Sequence, residues 1–192
     1  MKKGFTIVEV SILFVIFLIV AFLVAPLSLD DTMQAKHTSR WRAVQADFSN
    51  ILYSINSTKE HSDKSFKEIV DEIISNEIKA DEKSYKITYL NGSTPKKDYQ
   101  FDDYKITYSN AVIAVKFYET AQDDRLGIVM YDINGKVGPN VWGKDVYGFN
   151  VYSESIEPFG KRELVSAQKR DCSRGGTGLL CSNYYLIGGN FD

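Results

Sequence analysis

The chain has 192 residues and a formal charge of −2, from 23 basic and 25 acidic side chains. A near-neutral balance lacks the basic excess of a nucleic-acid-binding domain. Two cysteines, with neither of the two histidines close to them in sequence, do not make a zinc centre. The first element is apolar: from Val10 to Leu29 there is no charged residue, and Ile, Leu, Val and Phe dominate. About 20 such residues cross a bilayer as a helix. Lys2 and Lys3 precede the run and Asp30 and Asp31 follow it, which places the N-terminus in the cytoplasm and the rest of the chain outside. The run is too long for a cleaved secretory signal, and Leu23-Val24-Ala25-Pro26 is a poor cleavage site. A plain anchor leaves Glu9 unexplained, because an ionisable residue in a membrane segment is costly and marks function by default.

Beyond Pro26 a helical period returns through Met33, Trp41, Val44, Phe48, Ile51, Leu52 and Ile55. The pattern predicts one long helix from about Thr6 to Ser57, kinked or loosened around Pro26 to Asp31. Lys64 to Lys79 carries a second stripe (Phe66, Ile69, Val70, Ile73, Ile74, Ile78) and is predicted to be an amphipathic helix packed on a sheet. The pattern then changes to strands. Tyr85–Leu90 alternates before an Asn91-Gly92 turn, and Tyr104–Tyr108, Ala111–Tyr118, Leu126–Ile133 and Val146–Tyr152 follow at short spacings. The expected class is α+β: a long N-terminal helix, its first half in the membrane, packed on an antiparallel sheet.

The residues around Glu9 add a second layer. Gly4-Phe5-Thr6-Ile7-Val8-Glu9, with Lys2-Lys3 before it and the apolar run after it, resembles the processing signal of type IV pilins and type II secretion pseudopilins. The resemblance implies cleavage between Gly4 and Phe5 by a prepilin peptidase, and N-methylation of Phe5. It implies a leader of residues 1–4, an assembly helix over 5–29, an extracytoplasmic half-helix over 30–58 and a pilin-like head over 59–192. Pro26 matches a helix-bending proline of many pilins. Glu9 would then pair with the N-terminal ammonium of a neighbouring subunit. Removing one member of such a buried pair costs about 3–5 kcal/mol, which is enough to enforce register. The implied partners are the peptidase, sister pilins, an inner-membrane platform protein and, through that platform, an assembly ATPase. The alternative from another class is a single-pass anchored binding module that never assembles.

Two further stretches carry chemistry. Asp132-Ile133-Asn134-Gly135 opens a loop that continues through Gly138-Pro139-Asn140 to Gly143-Lys144-Asp145. Oxygen donors at Asp132, Asn134, Asn140 and Asp145 make it a candidate calcium loop, although Lys136 stands where an oxygen donor would be expected and no Glu closes it. The competing reading is a hairpin whose Asp and Asn side chains cap their own turns. No other cofactor is indicated. Cys172 and Cys181 both fall in the oxidising compartment and flank a glycine-rich segment, so a disulfide closing the C-terminal region is expected. His-Glu-x-x-His and Gly-x-Ser-x-Gly are absent, and no catalytic constellation is expected.

Overall fold

The computed structural model describes residues 35–50, 78–82, 85–122, 124–152 and 155–190, together with isolated helical residues at 15, 16, 53, 54, 57, 68 and 75. The chain divides into two units, Met1–Lys36 and His37–Asp192. In the first unit the described residues are Val15, Ile16, Ala35 and Lys36, all helical.

The second unit is built on six strands: β1 (Ile78–Glu82), β2 (Tyr104–Thr107), β3 (Val112–Gln122), β4 (Arg125–Asp132), β5 (Val146–Tyr152) and β6 (Ile156–Pro158). They form one sheet in sequence order, and every neighbouring pair is antiparallel. The connections between β2 and β3, β3 and β4, and β5 and β6 are only a few residues long, which favours such antiparallel neighbours. Helix α1 covers residues 35–50. Two short helices follow the sheet, α2 (Val165–Asp171) and α3 (Cys181–Tyr184).

Side-chain alternation gives the sheet two buried faces. Ile113, Val129, Tyr147, Phe149 and Val151 point to one side, where Trp41 and Phe48 of α1 and Tyr184 and Tyr185 pack on them. Trp41 is fully buried, stacks on Tyr147 with ring centroids 4.8 Å apart, and donates its indole N–H to the Ser182 carbonyl at 2.7 Å. Val112, Ala114, Ile128, Met130 and Val146 face the other side, under Ile87, Tyr89, Phe101, Trp142 and Phe159. Gly148 is required there, because a Cβ would lie 2.3 Å from the Phe159 ring.

The expected fold class, one long helix from Thr6 laid on the sheet, is corrected. The sheet is flanked by short helices; among the described residues α1 is the only helix of note, and none is long and apolar enough to cross a membrane. In α1, Trp41, Val44 and Phe48 meet the sheet within about two turns. Apolar periodicity locates a contacting face but does not measure the length of the helix that carries it. The apolar run itself, apart from Val15 and Ile16, lies outside the described residues.

Three smaller expectations also change. Ile78 and Lys79, placed at the end of an amphipathic helix, belong to β1. Glu68 and Ser75 are helical, and the other residues of that segment lie outside the description. Tyr85–Leu90 is not a strand and joins the fold through an isolated Thr88–Val141 bridge. Its backbone bonds elsewhere: Leu90 N–H donates to the Thr177 carbonyl at 3.0 Å and Asn91 N–H to Gly176 at 3.1 Å. The alternation of Ile87 and Tyr89 therefore records a lid on the second core.

Candidate functional site

The loop between β4 and β5 is held by its two aspartates, both fully buried. Asp132 ends β4. Its Oδ1 accepts the backbone N–H groups of Asn134 (3.0 Å) and Gly135 (2.9 Å), and its Oδ2 accepts the Tyr85 hydroxyl. Asp145 sits immediately before β5; its Oδ2 accepts Asn140 N–H at 2.8 Å and its Oδ1 accepts Val141 N–H at 2.7 Å. Three of the four carboxylate oxygens thus cap turns, as Asp does in tight loops, and the fourth holds Tyr85. Gly135 has φ +69°, and a Cβ there would lie 2.0 Å from the Asn110 carbonyl oxygen, which explains the Asn-Gly pair. The Gly138–Pro139 peptide is cis and Asn140 is left-handed.

The loop also keeps unspent oxygens. The side-chain carbonyls of Asn134 and Asn140 are buried and accept no hydrogen bond. Buried polar atoms are nearly always paired, so two orphans in one loop need a reason. Burial pushes the Asp132 carboxyl up to about 7; the Asp145 charge adds to this, while the hydrogen bonds from Tyr85, Asn134 and Gly135 oppose it. Burial likewise raises Asp145, opposed by the Val141 and Asn140 amides and by the nearby His37. Tyr85 is pushed up by burial and by the adjacent Asp132 charge. The cluster is thus short of positive charge and holds two free amide oxygens, an oxygen-only set suited to a hard divalent cation. Among the described residues no group of three His, Cys, Asp or Glu side chains is arranged to hold a metal ion.

His37 ties α1 to this loop: it is buried, and its Nδ1 lies 3.1 Å from the Lys144 carbonyl oxygen. Nothing in the sequence pattern singled out His37 or Tyr85 as members of the cluster. Cys172 and Cys181 form the expected disulfide, packed in the first core beside Tyr184. Gly4, Phe5, Glu9 and Pro26 lie outside the described residues. Compared with protein-family models, with curated proteins and with solved structures, the chain matches none.

Proposed function

We propose that the chain is a structural subunit of a type IV pilus or type II secretion-type filament, processed after Gly4 and assembled through its N-terminal apolar segment. One observation carries this reading: Gly4-Phe5-Thr6 and Glu9 stand together at the junction between two lysines and an uncharged run. Its partners are then a prepilin peptidase, sister subunits, an inner-membrane platform protein and an ATPase acting through it. Its head lies outside the cytoplasm. The test is intact mass and N-terminal sequencing of protein from membranes with and without the peptidase. A chain starting at N-methyl-Phe5 only when the peptidase is present supports the reading. An intact Met1 in both, or a cut near Ala25, overturns it.

A second reading, an anchored module that binds calcium, is favoured by the two orphan amide oxygens beside two buried carboxylates. Asp132, Asn134, Asn140 and Asp145 would hold the ion, which would neutralise the loop. Titration calorimetry of calcium into the chelator-treated full chain tests it. Saturable binding lost in Asn140→Ala supports the site, and no heat of binding overturns it. Glu9→Ala separates the two readings, since only the filament subunit loses assembly while keeping membrane insertion.

A further inference from the structure

A cleft of about 290 Å³ opens at the end of the second core, away from the Asp132–Asp145 loop. An irregularity in β4 lies beside it, at the lining residue Arg125. Antiparallel pairing with β5 shifts register between Arg125 and Gly127. Such a bulge re-aims the side chains beyond it. Leu126 consequently packs with the first core, while Arg125 turns to the opposite face, opposite Tyr152, and donates Nη1–H to Asn150 Oδ1 at 3.2 Å. Its guanidinium also lies 5.2 Å from the Tyr118 ring centroid. A half-buried arginine placed this way has donors left over. Among the described residues no carboxylate forms an ion pair with it.

The other end of the cleft is different. Glu157 of β6 pairs with Asn150 of β5 across the sheet. It is already neutralised: Arg162 Nε donates to its Oε2 at 2.8 Å, and Lys161 Nζ lies 3.7 Å from its Oε1. Arg162 in turn lies over Tyr152 at 4.0 Å. β4 and β6 flank β5, and Arg125 and Glu157 are offset by two residues along it, so their backbones stand roughly 12 Å apart. Asn150 lies between them, and its amide N–H groups have no partner among the described residues. Tyr99 and Phe159 supply aromatic wall.

The cleft therefore offers at one end a cation with no ion pair among the described residues, neutralised hydrogen-bond acceptors at the other and an amide in the middle, in a volume near the lower limit of ligand pockets. We propose that this cleft binds a single acidic sugar. The Arg125 guanidinium takes its carboxylate, as a planar fork suited to bidentate pairing, and Asn150 and Glu157 take ring hydroxyls. A zwitterionic amino acid fits less well, because Lys161 and Arg162 already answer the Glu157 charge that an ammonium would need.

The test uses the full chain in a sugar-free detergent, titrated with sodium D-glucuronate and followed by saturation-transfer NMR and calorimetry. Glucose, acetate and leucine serve as the neutral sugar, the bare carboxylate and the zwitterion. Saturable glucuronate binding is expected, with acetate and glucose each weaker by at least about tenfold, the scale of one lost charged or hydroxyl contact. Arg125→Gln should abolish glucuronate binding, and Asn150→Ala should weaken it, with unchanged near-UV circular dichroism confirming that each variant folds. Absence of saturable glucuronate binding to the wild-type chain overturns the proposal. So does unaltered affinity in folded Arg125→Gln, acetate binding as tightly as glucuronate, or leucine binding more tightly.

Discussion

Two loops of this molecule use the same device with different numbers of buried charges. In the C-terminal loop, Asp171 accepts Thr177 N–H and the Thr177 hydroxyl on Oδ1, both at 2.7 Å, and Leu180 N–H on Oδ2 at 2.9 Å. A single carboxylate organises that turn, and the Cys172–Cys181 disulfide closes it covalently. The β4–β5 loop instead turns on two fully buried carboxylates, both raised by burial, with the Asp145 charge raising Asp132 further, and has no covalent closure. Capping by aspartate is local and inexpensive when one charge is involved. When two such caps share a buried site, the loop's stability becomes a question of what neutralises them.

The largest expected effect follows from that difference. The folded-state pKa of Asp132, about 7, lies above the ordinary carboxylate value. Between the two values the folded state holds a proton that the unfolded chain has lost, so stability falls as pH rises. The contribution is complete below about pH 4 and gone above about pH 7; a shift of this size is worth at most about 4 kcal/mol. Urea unfolding in chelator at pH 4.5 and 7.5 measures it. The fall should be much shallower in Asp132→Asn, which removes the titrating group. Equal slopes in the two proteins would show that the facing charges are not what makes this loop differ.

Next in size is Asp145→Ala. It strips the acceptor from two backbone N–H groups, Asn140 and Val141, and leaves them without that partner in a half-buried turn. An unsatisfied buried donor costs about 1–3 kcal/mol, so a net loss of about 3 kcal/mol is expected at pH 5, where Asp132 is largely protonated and little repulsion is relieved. Asp145→Asn keeps one acceptor oxygen and should lose less than half as much. Thermal and urea unfolding of the two variants side by side checks this.

The disulfide loop should behave otherwise. Replacing both Cys172 and Cys181 by Ser releases a crosslink that spans nine residues, worth about 2.5 kcal/mol in chain-entropy terms. The loss should be the same at pH 4.5 and 7.5, because the closure carries no titrating charge. A loss that grew with pH would tie this loop to the acidic cluster and undo the contrast.

How much of this could be read in the sequence depended on whether the cause was local. β5 runs from Val146 to Tyr152 as expected, because alternation and flanking turns are properties of adjacent residues. The Asp132–Asp145 loop was legible for the same reason: Asn-Gly and Gly-Pro-Asn state their turn chemistry outright. Tyr85 and His37 joined the cluster unannounced, being 47 and 107 residues from their partners in the loop. Ile78 was misassigned because a β-branched residue at the end of a helical stripe satisfies both periods, and only pairing with Thr107 decides it. The Arg125 bulge has no local signature; it exists because β4 must match β5 on one side and β3 on the other.

The smallest expected effect tests whether covalent and polar closure of the C-terminal loop are redundant. Thr177→Val removes one of the three hydrogen bonds to Asp171 while preserving shape, and it also removes the weaker acceptance of Leu179 N–H at 3.3 Å. Asp171 keeps the Thr177 and Leu180 amides, so in the disulfide-bonded protein the loss should be about 1 kcal/mol. In the Cys172→Ser/Cys181→Ser background, the Asp171 carboxylate and the backbone bonds from Leu90 and Asn91 must hold residues 172–181 in their turn, and the same substitution should cost more. A double-mutant cycle by urea unfolding reads the difference directly. A coupling near zero would mean that the crosslink and the carboxylate each act alone. A clear positive coupling would mean that the disulfide substitutes here for the neutralising partner that the β4–β5 loop needs.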